Sequence, residues 1–142
     1  MDADALGPEL AALQRARLHI RGGKRRLRQG KVSIGILTLY DAMLMALEWY
    51  FISPERRNTL LIEEGEDLNN DRTAFDILRR SGRLDDSLDY EAFDLLAEKA
   101  LTEEMPDCDY TGMLEGLESF MTQLGVMPFD EGGLPPEDPS TE

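Results

Sequence analysis

Residues 32–52, VSIGILTLYDAMLMALEWYFI, are the most hydrophobic segment of the chain and constrain its fold most strongly. The length suits a membrane-spanning helix. Asp41, however, lies near the centre of the segment, where membrane insertion costs about 2.5–3.5 kcal/mol, and Glu48 adds to that cost. Thr38, Asp41, Met45 and Glu48 share one helical stripe, which gives the segment a narrow polar edge. We therefore predict the central helix of a soluble bundle and no membrane span.

The remaining apolar residues recur at helical spacing, and no alternating pattern is long enough to predict a strand. Ser53-Pro54 is typical of a helix start and Gly30 of a helix end. Gly22-Gly23 predicts a kink or break in the first helix. Ser87 is the expected cap of the predicted helix over residues 88–105. The predicted helices cover residues 5–29, 32–52, 54–63, a segment from Asn70 or Asp71 to Gly82, 88–105 and 110–124.

The predicted fold class is all-α, a single-domain bundle of five to six helices. A chain of 142 residues suits one domain with a real core. The bundle is expected over residues 1–129. Residues 130–142, DEGGLPPEDPSTE, are rich in Pro, Gly and acids, so a disordered acidic tail is expected there.

The charge is unevenly distributed. The chain carries −14, but residues 1–31 hold eight Lys or Arg against three acids, a net +5 that leaves −19 elsewhere. Such acidity repels nucleic acid and anionic membranes, so only residues 15–31 are candidates to bind nucleic acid. That segment lacks interleaved aromatics for base stacking, and pairing with the chain's own acidic surface is the favoured interpretation. We call the basic patch Arg21, Lys24, Arg25, Arg26, Arg28 and Lys31.

No catalytic constellation is recognisable. His19 is the only histidine and Cys108 the only cysteine, so neither an internal disulfide nor a histidine metal cluster is expected. Residues 1–8 carry two aspartates and no positive segment typical of a signal peptide. We predict a non-enzymatic, cytoplasmic protein.

Residues 107–118, DCDYTGMLEGLE, have the spacing of an EF-hand calcium loop, with Gly112 at the sixth position. Carboxylate, hydroxyl and carbonyl oxygens are the ligands that calcium prefers. The other interpretation is that Asp107 or Asp109 caps the last helix, with Gly112 and Gly116 allowing close helix packing. The candidate ligands are Asp107, Asp109, Thr111, Met113 through its carbonyl, and Glu118.

The flanks of this loop depart from the EF-hand pattern. Pro106 stands where the incoming helix should continue, and Glu103 and Glu104 replace apolar residues. EF-hands work in pairs, yet the other acidic segment, residues 67–78, has Arg72 in place of the glycine. We therefore expect the protein to bind no cofactor, with calcium as the one alternative.

Residues 10–51 combine a helix of Leu, Ala and Arg, a glycine turn at Gly30 and an Ala/Tyr/Leu-rich helix. The stretch LYDAMLMALEWY resembles the second helix of HEPN-type bundles, which include ribonucleases and partners of nucleotidyltransferases. Catalytic members carry an Arg and a later His with four to six residues between them. Here Ala12, Leu13 and Gln14 precede His19 at those distances, and Arg15 is one residue too close. The resemblance therefore implies a bundle scaffold or a binding role.

These patterns favour a small acidic protein-binding or regulatory module whose partner is another protein or a second copy of the chain. A calcium-binding protein with a single loop, and an RNA- or nucleotide-associated bundle, are the alternatives. A hairpin closing at Gly30 would also place Asp41 opposite His19 and Arg21, with Arg17 within reach. An ion pair of Asp41 with one of these arginines is expected, because a charge buried mid-helix needs a partner.

Overall fold

The computed structural model describes residues 3–136, and of residues 3–6 the backbone alone. All regular structure in this range is helical, which confirms the all-α prediction of a single helical domain. A 3-10 helix, Glu131–Gly133, follows the last α-helix. The helices are α1 (Ala3–Arg28), α2 (Val32–Ile52), α3 (Pro54–Arg57), α4 (Asp71–Arg80), α5 (Tyr90–Thr102) and α6 (Thr111–Leu124).

Helices α1 and α2 form the expected antiparallel hairpin. Gly30 has φ +80°, and the Lys31 amide donates to the Arg26 carbonyl at 2.9 Å, which closes the end of α1 as a Schellman motif. Two contacts join α1 to α2 along the hairpin: Arg26 to Thr38 at 3.1 Å and Arg15 to Glu48 at 3.7 Å. The register is close to the one expected from the sequence.

The predicted interruption of α1 at Gly22-Gly23 is wrong. The helix continues through both glycines, and its non-helical residue is Gly7, with φ 79° and ψ 162°. A Cβ on Gly23 would lie 2.6 Å from Leu39 Cγ and 3.3 Å from the Gly35 carbonyl oxygen. Glycine therefore lets the two helices approach closely, and this packing offsets its poor helix propensity.

Helix α2 lies at the centre of the core, with Ile36, Leu39 and Met43 fully buried. The later helices pack around it and against one another. Phe75 of α4, for example, stacks on Phe120 of α6 with ring centroids 6.0 Å apart. Helix α6 lies directly against the residues before α5. A Cβ on Gly116 would be only 2.6 Å from the Ser87 carbonyl oxygen. Gly116 therefore allows close packing, although against a loop rather than the expected helix, whereas Gly112 has open space around it.

The helix of residues 54–63 is shorter than predicted. Ser53 caps it as expected, its Oγ accepting from the Arg56 amide at 3.3 Å, but α3 ends at Arg57. Its continuation is prevented at Leu61, whose amide donates to Ser81 Oγ at 2.8 Å and whose carbonyl accepts from Arg80 Nε at 3.0 Å. These side chains from the end of α4 hold the Leu61 backbone, so residues 58–70 form a loop.

The caps of α4 and α5 test two further predictions. Asn70 caps α4 as expected, its Oδ1 accepting from the Thr73 amide at 2.9 Å. Ser87 is not the cap of α5; Asp89 is, accepting from the Ala92 amide at 3.0 Å. Helix α5 therefore spans Tyr90–Thr102 rather than residues 88–105, since Asp89 supplies the carboxylate that the first turn needs.

The first residues of the expected tail have defined structure. Asp130 Oδ1 accepts from the Gly132 amide at 2.9 Å, and the Pro135 carbonyl accepts from Arg21 Nη2 at 2.7 Å. Residues 130–136 are thus held against α1 by a side chain that sequence reasoning assigned to the basic patch. Residues 137–142 lie outside the described range, and disorder there stays a prediction.

Candidate protein-binding groove

Asp41 does not face α1. Its side chain is exposed, and no ion pair of Asp41 occurs within residues 7–136. Arg17 Nε donates instead to the Val126 carbonyl at 3.0 Å, and His19 Nδ1 to the Arg15 carbonyl at 2.9 Å. The predicted ion pair is wrong, because Asp41 lies on the side of α2 that faces α4, where it lines a groove together with Asp71 and Ala74.

The side of α2 that carries Asp41 forms one wall of this groove, whose volume is about 830 Å³. Helix α4 and the loop before it form the opposite wall. We call this the α2–α4 groove. Its lining residues are Asp41, Leu44, Met45, Leu47, Glu48, Phe51, Ile52, Arg57, Leu68, Asn69, Asp71 and Ala74.

The floor of the groove is apolar and only partly covered. Leu44, Met45, Ile52 and Leu68 are half-buried and pack against the core, and each leaves part of its surface open. Helical spacing along α2 brings the first three of these residues onto one face. The groove thus offers a continuous apolar strip bordered by polar side chains.

Three carboxylates and one cation border this strip: Asp41, Glu48, Asp71 and Arg57. Glu48 lies 3.7 Å from Arg15, but both side chains are about half exposed, so solvent weakens their attraction. Neither Asp41 nor Asp71 forms an ion pair with any side chain of residues 7–136. Burial raises the pKa of Asp71, as expected for a partly buried carboxyl that forms no ion pair. The groove therefore carries net negative charge.

A polar cluster connects α2 to α5 beside the groove. The Tyr40 hydroxyl donates to Asp94 Oδ1 at 2.7 Å, and the Tyr40 ring meets Phe93 edge-on with centroids 5.2 Å apart. Burial, together with the hydrogen bond to Asp94, raises the pKa of Tyr40 far above its usual value. The hydroxyl stays protonated and fixes α5 on α2. Sequence reasoning missed this pair, because only the tertiary fold brings the two residues together.

The candidate calcium ligands are not gathered around one point. Helix α6 begins at Thr111, the fifth loop position, so Met113 and Glu118 already lie on the helix. Glu118 points to Lys24, 3.4 Å away, while Asp109 Oδ1 accepts from the Thr111 amide at 3.1 Å. Asp107 is exposed. Within residues 7–136 no group of three or more His, Cys, Asp or Glu side chains is arranged to hold a metal.

The basic patch is divided between internal contacts and solvent. Arg21 bonds to Pro135, Lys24 pairs with Glu118, and Arg26 Nη1 donates to Thr38 Oγ1 at 3.1 Å. Arg25 is half-buried, whereas Arg28 and Lys31 are exposed at the hairpin turn. Burial and the neighbouring Arg25 lower the pKa of Arg26. The end of α1 is therefore a region of concentrated positive charge.

Arg56 is a structural residue that the sequence reasoning missed. Its guanidinium lies 4.0 Å from the Trp49 ring centroid, and Nη2 donates to the Trp49 carbonyl at 2.7 Å. Nε donates to the Tyr50 carbonyl at 3.2 Å, and Glu9 lies 3.0 Å from Nη1. Arg56 thus satisfies carbonyls of the last turn of α2. A basic residue shortly after a helix end was the available signal.

Helix α2 has the length and apolar composition that would also allow a membrane span, although 61% of its most hydrophobic window is buried inside the protein. The core helix of a soluble protein meets the same criteria. The absence of a membrane span stays a prediction.

No protein-family model, curated protein or solved structure matches this chain. The resemblances to HEPN-type bundles and to the EF-hand loop therefore stay predictions.

Proposed function

We propose that this protein is a non-enzymatic protein-binding module, and that its α2–α4 groove binds a basic amphipathic segment of a partner protein. The observation that carries the proposal is a partly open apolar floor bordered by carboxylates, two of which lack a cationic partner within residues 7–136. A reducing, cytoplasmic location, which suits a single half-buried cysteine, Cys108, belongs to the same proposal.

The apolar strip supplies the attraction. The groove is lined by Leu44, Met45, Ile52 and Leu68, each of which is only partly covered. Burial of apolar area is the main favourable term in protein association. Met45 adds adaptability, since an unbranched thioether repacks readily around different side chains. An amphipathic helix laid into such a groove buries its apolar face against this strip.

The charges select the partner. Asp41, Glu48 and Asp71 surround the strip, Arg57 is the cation among the described lining residues, and the whole chain carries −14. Such a surface attracts a basic segment and repels an acidic one, which affects association rate and specificity more than the final affinity. Lys or Arg residues beside the apolar face of the partner complement this arrangement.

Titration of the isotope-labelled protein with a Leu- and Lys-containing amphipathic peptide of about 15 residues tests the proposal. Amide shifts should map to the groove. Leu44→Asp should weaken binding at least about tenfold by placing a charge on the floor. The matched control is Leu101→Asp on α5, where the leucine is 71% exposed and does not line the groove.

Two outcomes would contradict the proposal. Equal weakening by Leu44→Asp and Leu101→Asp would show that binding is non-specific. Self-association of the wild type in sedimentation experiments, together with a monomeric Leu44→Asp variant, would contradict the proposal in another way. It would show that a second copy of the chain occupies the groove. Circular dichroism of each variant separates loss of binding from loss of folding.

A further inference from the structure

The segment that follows α6 lies across α1. We call residues 126–136 the strap. Arg17 Nε donates to the Val126 carbonyl at 3.0 Å, and the Arg17 guanidinium lies 5.5 Å from the Phe129 ring centroid. Farther along, Arg21 Nη2 donates to the Pro135 carbonyl at 2.7 Å. Arg17 and Arg21 are four residues apart, so they project from one face of α1.

The two ends of the strap are held very differently. Val126 is fully buried, and its amide donates to the Met121 carbonyl at 2.9 Å, which anchors the strap to α6. From residue 130 to 133 the strap is exposed, and Leu134 is half-buried. Arg21 contacts it through a backbone carbonyl, a group that any polypeptide offers. The outer part of the strap is therefore replaceable by another extended chain.

The strap and the surface beneath it have opposite charges. Residues 10–31 contain no Asp or Glu, and Arg28 and Lys31 continue the positive surface beyond the strap as exposed side chains. The strap carries Asp130 and Glu131, both exposed, and no Lys or Arg. Guanidinium groups bind carboxylates with charge-assisted and often bidentate hydrogen bonds.

We propose that the basic face of α1 is a second interaction surface, which binds an acidic, extended polypeptide segment, and that the strap is its tethered competitor. A polypeptide fits better than a nucleic acid, because residues 10–31 contain no Phe, Tyr or Trp on which bases stack. The −19 charge of residues 32–142 also repels a phosphate backbone. This surface is separate from the groove, so the two proposals stand or fall independently.

Competition by a tethered segment has a measurable consequence. The apparent affinity for an external segment equals the intrinsic affinity multiplied by the fraction of molecules in which the strap leaves the surface uncovered. Its tether also gives it a high effective concentration. Phe129→Ala removes the ring over Arg17, a cation–π contact of the partly exposed kind. This variant should bind an external segment about two- to fivefold more tightly than the wild type, the factor that such a contact is worth.

The experiment uses the full-length chain and a fluorescent synthetic peptide with the sequence of residues 130–142. Phe129→Ala should bind the peptide more tightly than the wild type, and Arg21→Gln in the Phe129→Ala background should abolish the gain. Lys99→Gln in the same background removes one positive charge from α5 and is the matched control, which should retain the gain. Leu134→Ala provides a second loosened strap should Phe129→Ala reduce folding.

Nuclear magnetic resonance of the isotope-labelled protein gives an independent readout, because displacement of the strap by the unlabelled peptide should shift the amide signals of Gly132 and Gly133. Equal binding of the peptide by the wild type and both loosened variants would show that the strap does not compete and would overturn the proposal. So would absence of peptide binding to any variant. Stronger competition by an oligouridylate than by the peptide would replace the polypeptide with a nucleic acid as the ligand class.

Discussion

The closest approach of α1 and α2 yields a sharp prediction from two adjacent glycines. An alanine at Gly23 would place its Cβ 2.6 and 2.7 Å from Leu39 side-chain atoms and 3.3 Å from the Gly35 carbonyl oxygen. Leu39 is fully buried, so it has no open space to move into. An alanine at Gly22 would meet only Arg26 Nη1, at 3.4 Å, which is ordinary van der Waals contact.

The two substitutions share one favourable term and differ in one unfavourable term. Each gains up to about 1 kcal/mol from the better helix propensity of alanine. Only Gly23→Ala adds the cost of overpacking, about 1–3 kcal/mol. Because the helix term cancels in the comparison, Gly22→Ala should exceed Gly23→Ala in the free energy of unfolding by about 1–3 kcal/mol. Relative to the wild type, Gly22→Ala should be stabilised and Gly23→Ala neutral to about 2 kcal/mol less stable.

Urea and thermal unfolding followed by far-ultraviolet circular dichroism measure this difference. Each kcal/mol should shift the Tm by about 3–5 °C for a chain of this size. Leu39→Ala should relieve the clash, so the double variant with Gly23→Ala should be more stable than additivity of the two single changes predicts. Equal stability of the Gly22→Ala and Gly23→Ala variants would refute the close crossing of the two helices.

The other predictions concern Arg56, Tyr40 and the loop of residues 107–118. Arg56→Lys should lower stability by about 1–2 kcal/mol, since lysine keeps the charge but not the paired carbonyl bonds or the stacking; an unchanged Tm and Trp49 fluorescence would contradict this. Tyr40 has a raised pKa in the folded state, so stability should fall above about pH 10, where tyrosine in the unfolded chain ionises, and Tyr40→Phe should reduce that fall. Millimolar calcium should leave the Tm unchanged, and a rise abolished by Glu118→Gln would favour the calcium-binding alternative.

Local signals in the sequence predicted much of the fold. Ser53 and Asn70 cap helices as expected, and Gly30 closes the hairpin, because capping depends on the residue and its immediate neighbours. The error at Gly22-Gly23 arose because a distant residue decides the outcome there. The unfavourable helix propensity of Gly22-Gly23 was visible in the sequence, but the helix that packs against Gly23 was not. The calcium loop stays a prediction from spacing, in a segment whose backbone is helical from Thr111.

Asp41 shows how such an error bears on function. Periodicity correctly placed it on a polar edge of α2, but periodicity gives no direction relative to the neighbouring helices. Thr38 and Glu48 on that edge contact Arg26 and Arg15 of α1, whereas Asp41 forms no ion pair within residues 7–136. Facing α4 instead, it borders an open apolar strip together with Asp71, also without an ion pair within residues 7–136. The basic side chains of α1 meanwhile meet the strap rather than Asp41. Among the described residues, the groove is lined by neither α1 nor the strap, so the two proposals place the binding of oppositely charged segments at separate surfaces.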